Sequence, residues 1–541
     1  MRTVLLSLCA LLGVWALAVQ GQELAGGWSK AHADLRNSNV HPTTGAIRSL
    51  DNTEYVEVSG ADWGNGGVAH DQEGNSYFPA LNTLYQLNKE GNWTSGPLLT
   101  EFQYGHPAVP DNDKVVVLSR NSVDVFDLAS QSSISTSWVP QKGNNFLGGP
   151  SAVVVDGLIY VLNSDGEMMV FDFDLQLQAL NNASQYVIGE NFTQDVSFCT
   201  PATDGQGNFY FFTDAYETGM VFAIRFPENE LLWYHTMAEL DPFPELSPYC
   251  FTHGSPSLSK EGDRLFMPVG CYKEPLSSGG VVALDTSNGD LVWATAITDL
   301  EPGDYHAENL VPTMSPVDGS IITHWLEFSN WQNNSLSMVV VGLDAETGEK
   351  VHFLELLPGV VGTSPSPGAV TADGVYYLSM AGAIVAVDLE SFEMLWYRNE
   401  SSVVSLQSIS IAADGSVYFP RGGDGLAVLR CKEDFALDGS GTCRESCAHA
   451  NARFIGRNLC GYDCGEEVAV LFPLEEPGCG ACHENQFWSS EELACEECPQ
   501  GTSSPAGSMG ASACVEDPAS SSSEDGDGSG STRLQSSVLS L

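Results

Sequence analysis

The most informative segment of this sequence is Ala283-Leu-Asp285-Thr-Ser-Asn-Gly289-Asp-Leu-Val-Trp293. We expect Asp285 to cap a tight turn and Gly289 to supply a positive φ within it. Trp293 then follows in a strand, where its large apolar ring can wedge between neighbouring structural units. The segment therefore predicts a strand–turn–strand unit whose tryptophan belongs to an interface.

The same pattern recurs along the chain. Ala386-Val-Asp388 reaches Trp396 at the same offset, Ala223-Ile-Arg225 reaches Trp233, and Gly342-Leu-Asp344 leads to Gly348 with His352 in the tryptophan position. A second pattern places an Asp-Gly turn before a strand, as in Asp156-Gly-Leu-Ile-Tyr160, Asp373-Gly-Val-Tyr-Tyr377 and Asp414-Gly-Ser-Val-Tyr418. Such turns permit positive φ and match the twist of hairpin strands. Both patterns predict repeated antiparallel hairpins.

Looser copies of the second pattern place Tyr77, Val117, Tyr210, Phe266 and Ile322 at the equivalent position, which makes eight units spaced 40 to 56 residues apart. Four short strands per unit at this period are typical of propeller blades. The sequence therefore predicts an all-β fold, an eight-bladed β-propeller followed by a small disulfide-rich module. Seven blades are the alternative, because the last unit ends near Arg430 and must take a strand from the N-terminal segment.

With these repeats the chain resembles the quinoprotein family, whose repeat is the pyrroloquinoline quinone (PQQ) repeat. The segment from Gly27 to Asn37 is similar to that family's entry segment, which normally supplies the closing strand of the ring. The resemblance spans roughly 25–430. It implies the fold, and it is compatible with quinone-dependent dehydrogenases and with non-catalytic scaffolds such as the bacterial barrel-assembly lipoprotein.

The family's dehydrogenases are usually marked by adjacent cysteines against the quinone, and by a Ca²⁺ ion held by acidic and amide side chains. This sequence has no Cys-Cys pair, and no local motif assigns calcium ligands or a catalytic base. We therefore expect no catalytic residue, metal or cofactor. A PQQ- and calcium-dependent dehydrogenase of alcohols or aldose sugars is the alternative. His70, His106 and His253 lie near predicted channel strands, where structural roles are favoured over metal binding.

Composition and terminal segments predict secretion. Val4 to Val19 is almost wholly apolar and precedes small residues, which indicates a signal peptide over 1–21. We expect the propeller to occupy 22–430, the cysteine module 431–515, and a disordered, Ser-rich acidic tail 516–541. The net charge of −49 disfavours nucleic acid as a partner. No later apolar run is long enough to span a membrane.

Thirteen cysteines remain once Cys9 leaves with the signal peptide, and their density in an exported chain predicts disulfides. Cys250 and Cys271 are close enough in sequence to form a disulfide within one blade. Cys199 is then either free or paired elsewhere. The other disulfide candidates are Cys431, Cys443, Cys447, Cys460, Cys464, Cys479, Cys482, Cys495, Cys498 and Cys514. The segment from Cys495 to Cys514 resembles small repeats of ephrin-receptor-type and growth-factor-receptor-type ectodomains, which implies an extracellular spacer or interaction module.

Two other chemistries fit parts of the module. The pairs Cys479/Cys482 and Cys495/Cys498 have zinc-ribbon spacing, although an exported, cysteine-dense context favours disulfides. Cys479-Gly-Ala-Cys482-His483 also matches the c-type haem attachment motif, which keeps haem as an alternative. Five glycosylation sequons, at Asn92, Asn182, Asn191, Asn333 and Asn399, agree with export. The sequence thus predicts a secreted, non-enzymatic scaffold that binds an extracellular protein or glycan.

Overall fold

The structure of this chain is a computed structural model. Its described residues are 33–41, 46–58, 67–71, 75–80, 83–88, 93–98, 106–111, 113–118, 122–130, 132–137, 151–162, 167–182, 200–213, 219–244, 250–251, 254–273, 276–297, 301–302, 311–330, 335–360, 367–380, 383–399, 408–412, 414–421, 425–432, 435–437, 441–445, 452–456, 459–463, 468–470, 486–489, 494–499, 502–503, 508–509 and 514–516. The predicted signal peptide and the tail beyond Glu516 lie outside these ranges. The chain divides into two compact units, Met1–Gly461 and Tyr462–Leu541.

The first unit contains the eight propeller sheets, each built on four antiparallel strands, which we number as blades in chain order. Blade 1 contains β3 (Ala69–His70), β4 (Ser76–Ala80), β5 (Thr83–Leu87) and β6 (Trp93–Leu98); blade 2 contains β7 (Ala108–Asp111), β8 (Lys114–Leu118), β9 (Ser122–Asp127) and β10 (Ser132–Ser137); blade 3 contains β11 (Val153–Val155), β12 (Leu158–Leu162), β13 (Glu167–Asp172) and β14 (Leu177–Asn182); blade 4 contains β15 (Ala202–Thr203), β16 (Asn208–Thr213), β17 (Met220–Arg225) and β18 (Glu230–Thr236).

Blades 5 to 8 follow the same order from the innermost to the outermost strand. Blade 5 contains β20 (Ser257–Leu258), β21 (Arg264–Lys273), β22 (Leu276–Asp285) and β23 (Leu291–Ala296), with β19 (Cys250–Phe251) and β24 (Glu301–Pro302) added at its ends; blade 6 contains β25 (Thr313–Met314), β26 (Ile321–Asn330), β27 (Ser335–Leu343) and β28 (Lys350–Val360); blade 7 contains β29 (Ala369–Thr371), β30 (Val375–Met380), β31 (Ala383–Asp388) and β32 (Glu393–Asn399), joined by β1 (Val40–His41); blade 8 contains β33 (Ser410–Ile411), β34 (Val417–Arg421), β35 (Gly425–Cys431) and β2 (Thr53–Val58).

Blade 8 closes the ring, because its strands come from two distant parts of the chain. β2 pairs antiparallel with β35 from Thr53 opposite Cys431 to Val58 opposite Leu426. The prediction of an all-β, eight-bladed propeller is confirmed, and so is the expectation that the last unit takes a strand from the N-terminal segment. The closing strand begins only at Thr53, however, and not within the segment from Gly27 to Asn37 that the family resemblance suggested.

Further along the chain come β36 (Ala436–Leu437), β37 (Cys443–Arg444), β38 (Ala452–Gly456), β39 (Leu459–Asp463), β40 (Val468–Val470), β41 (Gln486–Ser489), β42 (Ala494–Glu497), β43 (Thr502–Ser503), β44 (Ser508–Met509) and β45 (Val515–Glu516). Disulfides join Cys431 to Cys443 and Cys498 to Cys514 in this C-terminal part. Among the described residues the one α-helix is the short α1 (Met237–Leu240). None of the helices among the described residues is long and apolar enough to cross a membrane.

The core lies between the blades, where the two middle strands of each sheet bury both faces. In blade 7, for example, all six residues of β31 are buried. A β-bulge in blades 3 to 7 precedes the residue that faces the next blade. That residue is a tryptophan in three of these blades: Trp233 and Trp293 donate their indole N–H to the carbonyl oxygens of Thr286 and Ala345 in the following blade, and Trp396 donates to Ile47.

The turns that receive these tryptophans have the chemistry that the repeat predicts. Asp285 accepts a hydrogen bond from the Ser287 backbone, and Asp344 accepts one from Thr347. Gly289 and Gly348 have φ of +77° and +73°, and a Cβ at these positions would come within 2.6 Å of Trp233 and Trp293, respectively. Each turn therefore needs glycine both for its backbone conformation and for the ring packed against it.

Candidate functional site

The innermost strands of the blades line a central channel, and the N-terminal segment 33–41 runs along its wall. Amide groups of blades 4, 5 and 7 hold this segment: Thr203 donates to the carbonyl of Leu35, Leu258 to Arg36, and Val370 to Asn39, at 2.8, 2.9 and 2.8 Å. β1 then pairs in parallel with β29. The chain itself thus covers the inner wall of four consecutive blades, since Asn39 also donates through Nδ2 to the Thr313 hydroxyl of blade 6 at 3.2 Å.

Asparagines give the channel segment its shape. Asn37 and Asn39 have φ of +56° and +55°, a left-handed conformation that asparagine adopts more readily than most residues. The fully buried Asn37 side chain donates to the carbonyl oxygens of Thr200 and Pro256, both at 2.8 Å. These two carbonyls belong to different blades, so one side chain ties the segment to blades 4 and 5 together.

Among the described residues, four histidines are buried: His41, His70, His106 and His324. His41, His70 and His106 lie close enough for their imidazoles to interact. His70 and His106 are predicted near channel strands, whereas the predicted His253 lies outside the described residues. Burial lowers the pKa of His41 to about 3. Burial, and then the neighbouring imidazoles of His41 and His106, hold the pKa of His70 well below its usual range. The lowered pKa values of His41 and His70 favour neutral rings, which suits packing better than proton transfer near neutrality.

Hydroxyl groups surround the buried imidazoles. His70 contacts the Ser76 hydroxyl through Nδ1 at 2.8 Å and the Ser410 hydroxyl through Nε2 at 3.2 Å. His324 of blade 6 contacts the Tyr376 hydroxyl of blade 7 at 2.7 Å. His70 belongs to blade 1 and its partner Ser410 to the neighbouring blade 8. His324 and Tyr376 belong to the neighbouring blades 6 and 7. Each of these two histidines therefore joins two adjacent blades. Neither His41 nor His324 was singled out by sequence reasoning, and no local motif marks them.

The described residues of the channel assign no ligands to the calcium ion that the family resemblance implies. Among the described residues, no group of three or more histidine, cysteine, aspartate or glutamate side chains is placed to hold a metal ion. In addition, the segment 33–41 occupies the wall of blades 4 to 7, where its backbone is hydrogen-bonded to the inner strands.

The two faces of the propeller differ in their connections. The turns between the first and second strands of each blade, and between the third and fourth strands of blades 1 to 7, contain two to six residues and define the turn face. The opposite face, which we call the loop face, carries the connections from one blade to the next, and these contain 8 to 20 residues. Long connections on a rigid scaffold commonly carry binding residues. The loop face is therefore the better candidate surface.

Blades 5 and 6 extend beyond the others at the loop face. β21 and β22 contain ten residues each and β26 and β27 contain ten and nine, whereas the middle strands of the other blades contain five to seven. Four additional residues lengthen a hairpin by about 13 Å. β19 and β24 flank the blade 5 hairpin, and the Cys250–Cys271 disulfide joins β19 to β21. We call these two extended hairpins the ridge.

Trp325 lies inside the ridge and is only 2% exposed. Its indole ring lies directly against Gly279 of blade 5, at a position that a Cβ would occupy. Trp325 therefore packs blade 6 against blade 5.

Several of the predicted disulfide, haem and glycosylation positions lie outside the described residues. Cys199, Cys447, Cys464 and the Cys479–His483 motif lie outside the described residues, as do Asn92, Asn191 and Asn333. Cys460 and Cys495 lie in β39 and β42, while Asn182 and Asn399 end β14 and β32. The haem and zinc alternatives for the module therefore stay predictions.

No protein-family model matches the chain, and no curated protein matches it. Solved structures do resemble it. The quinohemoprotein alcohol dehydrogenase from Comamonas testosteroni aligns with a TM-score of 0.53 at 11% identity, covering 76% of this chain and 81% of its own. BamB from Moraxella catarrhalis aligns with a TM-score of 0.48 at 10% identity, covering 70% and 98%. At these identities the likeness to the dehydrogenase concerns the propeller fold alone.

Proposed function

We propose that this protein is a secreted, non-enzymatic propeller scaffold that binds an extracellular protein or glycan through its loop face. The ridge on blades 5 and 6 is the observation that carries this proposal. It adds two stiff hairpins, one of them fastened by a disulfide, beside the long connections of that face. Rigid elements that frame loops lower the entropic cost of binding.

The channel supports a structural rather than a catalytic interior. Burial lowers the pKa of His41 and His70, and the rings of His70 and His324 contact serine and tyrosine hydroxyls. A general base works best with a pKa near the operating pH, and His41, with a pKa of about 3, lies far below it. The N-terminal segment also covers inner strands of blades 4 to 7.

Charge and covalent bonds support the proposed setting. The chain carries 70 acidic and 21 basic residues, so long-range attraction favours partners with positively charged surfaces. Three disulfides among the described residues fit an oxidising compartment, as does the predicted signal peptide. The partner is therefore expected outside the cell.

A binding comparison tests the role of the ridge. Replacing 327–337 with Asn-Gly shortens the blade 6 hairpin and keeps Trp325 paired with Val339. We expect the shortened variant to lose binding to immobilised extracellular glycans or receptor ectodomains that the wild-type protein binds. Asp174→Ala, in an exposed position on the turn face, is the matched control and should bind as the wild type does. Equal binding by the shortened variant would contradict the proposal.

A spectrum tests the alternative, a PQQ- and calcium-dependent dehydrogenase that also carries haem. The protein purified from its native source should show only the absorption of tryptophan, tyrosine and cystine, and adding PQQ with Ca²⁺ should leave the spectrum unchanged. A Soret band, a bound-quinone band or steady oxidation of an alcohol or aldose would establish the alternative instead.

A further inference from the structure

The closing blade lacks one turn that every other blade has. In blades 1 to 7 the third and fourth strands follow each other in the chain, and in blades 5 and 6 their connecting turn receives the tryptophan of the preceding blade. In blade 8 these strands are β35 and β2, which come from opposite ends of the propeller sequence. Another part of the chain must therefore receive Trp396.

The segment 46–52 takes the place of the missing turn. The indole of Trp396 donates to the carbonyl oxygen of Ile47 at 2.9 Å, and the Tyr377 hydroxyl donates to the same oxygen at 3.2 Å. The Arg48 guanidinium forms an ion pair with Asp388 and donates to the carbonyl oxygen of Asp373. Blade 7 thus holds the segment by its side chains on one side.

The loop that the Cys431–Cys443 disulfide closes holds the segment from the other side. The Arg48 amide donates to the carbonyl oxygen of Gly441 at 2.8 Å, and Asn52 Nδ2 donates to the carbonyl oxygen of Cys443 at 3.1 Å. The amide of Lys432 donates in turn to the carbonyl oxygen of Asn52. These bonds fix both ends of the segment just before β2 begins.

Close packing strengthens this arrangement. Gly441 has a φ of +76°, and a Cβ there would lie 2.6 Å from Arg48 Cγ and overlap the carbonyl oxygen of Ala46. Leu437, in the same disulfide loop, packs against the apolar cluster that contains Ile47 and Trp396. The loop is therefore fitted to the N-terminal segment in its backbone, its glycine and its apolar side chain.

We propose that the loop 431–443 is a disulfide-closed clasp that completes blade 8 and holds the ring shut. In this role the first disulfide of the cysteine-rich sequence belongs functionally to the propeller. Blade 8 differs from the other blades because its third and fourth strands, β35 and β2, are not connected by a turn of the chain. The clasp restrains the chain where β35 ends and where β2 begins. Opening the disulfide is expected to free segment 46–52 and then β2.

Hydrogen exchange measured by mass spectrometry tests the clasp. In the double variant Cys431→Ser/Cys443→Ser we expect the amides of 48–58 to exchange at least about tenfold faster than in the wild type. The matched control is Cys250→Ser/Cys271→Ser, which removes the disulfide of the ridge and should change exchange around β19 and β21 while leaving β2 unchanged. Unchanged exchange of β2 in the first variant would overturn the proposal.

Two further measurements test the proposal even where the cysteine variants are not obtained as folded protein. Gly441→Ala retains the disulfide but blocks the approach of Ala46 and Arg48, so it should also accelerate exchange of 48–58. Folded wild-type protein treated with a dithiol should do the same, since the reagent passes two electrons and two protons to the disulfide and is itself oxidised to a cyclic disulfide. If β2 stays protected in both, the loop does not hold the ring shut.

Discussion

The interfaces between blades 5 and 6 and between blades 6 and 7 have the same position filled by different side chains. Trp293 fills it on blade 5, and His352 fills it on blade 6, where His352 pairs with Gly342 just as Trp293 pairs with Ala283. The tryptophan buries a large ring and donates to the Ala345 carbonyl at 3.0 Å. The histidine stacks on Phe392 at 4.7 Å and contacts the Asp318 carboxylate at 2.8 Å.

The two interfaces therefore rely on different physical effects. Trp293 is 8% exposed, whereas the side chains of His352 and Asp318 are 31% and 37% exposed. Burial of the tryptophan ring stabilises its interface through the hydrophobic effect, while a half-exposed contact between a histidine and a carboxylate contributes little. The repeat thus tolerates a residue other than tryptophan at the position that faces the next blade. The reason is that the aspartate and the glycine determine the conformation of the turn that receives this side chain.

The largest expected effect is that of removing a tryptophan wedge. Trp293→Ala should lower the free energy of unfolding by about 3–5 kcal/mol, because it leaves a cavity and an unpaired Ala345 carbonyl. His352→Ala should cost about 1 kcal/mol, since it removes an exposed pair and one ring contact. Urea unfolding of the two variants measures both values. Equal losses would show that the two interfaces do not differ in the way described.

The glycine facing the wedge should matter nearly as much. Gly348→Ala should cost about 2–5 kcal/mol, from a left-handed backbone strained by about 1–2 kcal/mol and from overpacking of about 1–3 kcal/mol against Trp293. Gly319→Ala is the matched control, since Gly319 has a φ of +76° but nothing within 4 Å of its Cβ position. The difference between the two variants in thermal or urea unfolding isolates the packing against Trp293, and no difference would contradict it.

Local chemistry explains why the blades could be predicted from the sequence. The Asp-Gly turns appear as expected, with φ of +76°, +79° and +77° at Gly157, Gly374 and Gly415. Each turn precedes a strand whose aromatic residue is buried, because turn type and strand alternation depend on neighbouring residues only. Blades 1 to 3 form without a tryptophan wedge, which is why their repeats are harder to recognise. In blade 2, for example, Ile134 takes the position opposite Val125.

Contacts between distant residues explain what the sequence could not predict. Asn37 is held by carbonyls 163 and 219 residues further along the chain, and Ile47 by a tryptophan 349 residues away. Asparagine at positions 37 and 39 is compatible with a positive φ, but the sequence does not indicate which strands these side chains contact. Similarly, an even number of C-terminal cysteines permits many connectivities, so the pairing of Cys431 with Cys443 required the fold.

The smallest expected effect concerns acid stability at the contact of Asp318 with His352, which lies within blade 6 beside the ring of Phe392 from blade 7. Burial raises the pKa of Asp318, but hydrogen bonds from Ser320, His352 and Ser315 outweigh it and lower the pKa to about 2. A carboxylate with a depressed pKa stabilises the fold above its unfolded pKa of 3.8, and this contribution is lost as the pH falls toward 2. Part of the acid sensitivity of the propeller should therefore come from this pair.

His352→Phe tests this origin, because phenylalanine keeps a ring against Phe392 and cannot donate to Asp318. The variant should be slightly less stable than the wild type at pH 6 and should lose less stability between about pH 4 and pH 2, because the pKa of Asp318 then lies closer to its ordinary value. Asp318→Asn should flatten the same part of the profile. If thermal unfolding followed against pH gives parallel curves for all three proteins, the histidine interface is held by ring packing, as the tryptophan interfaces are.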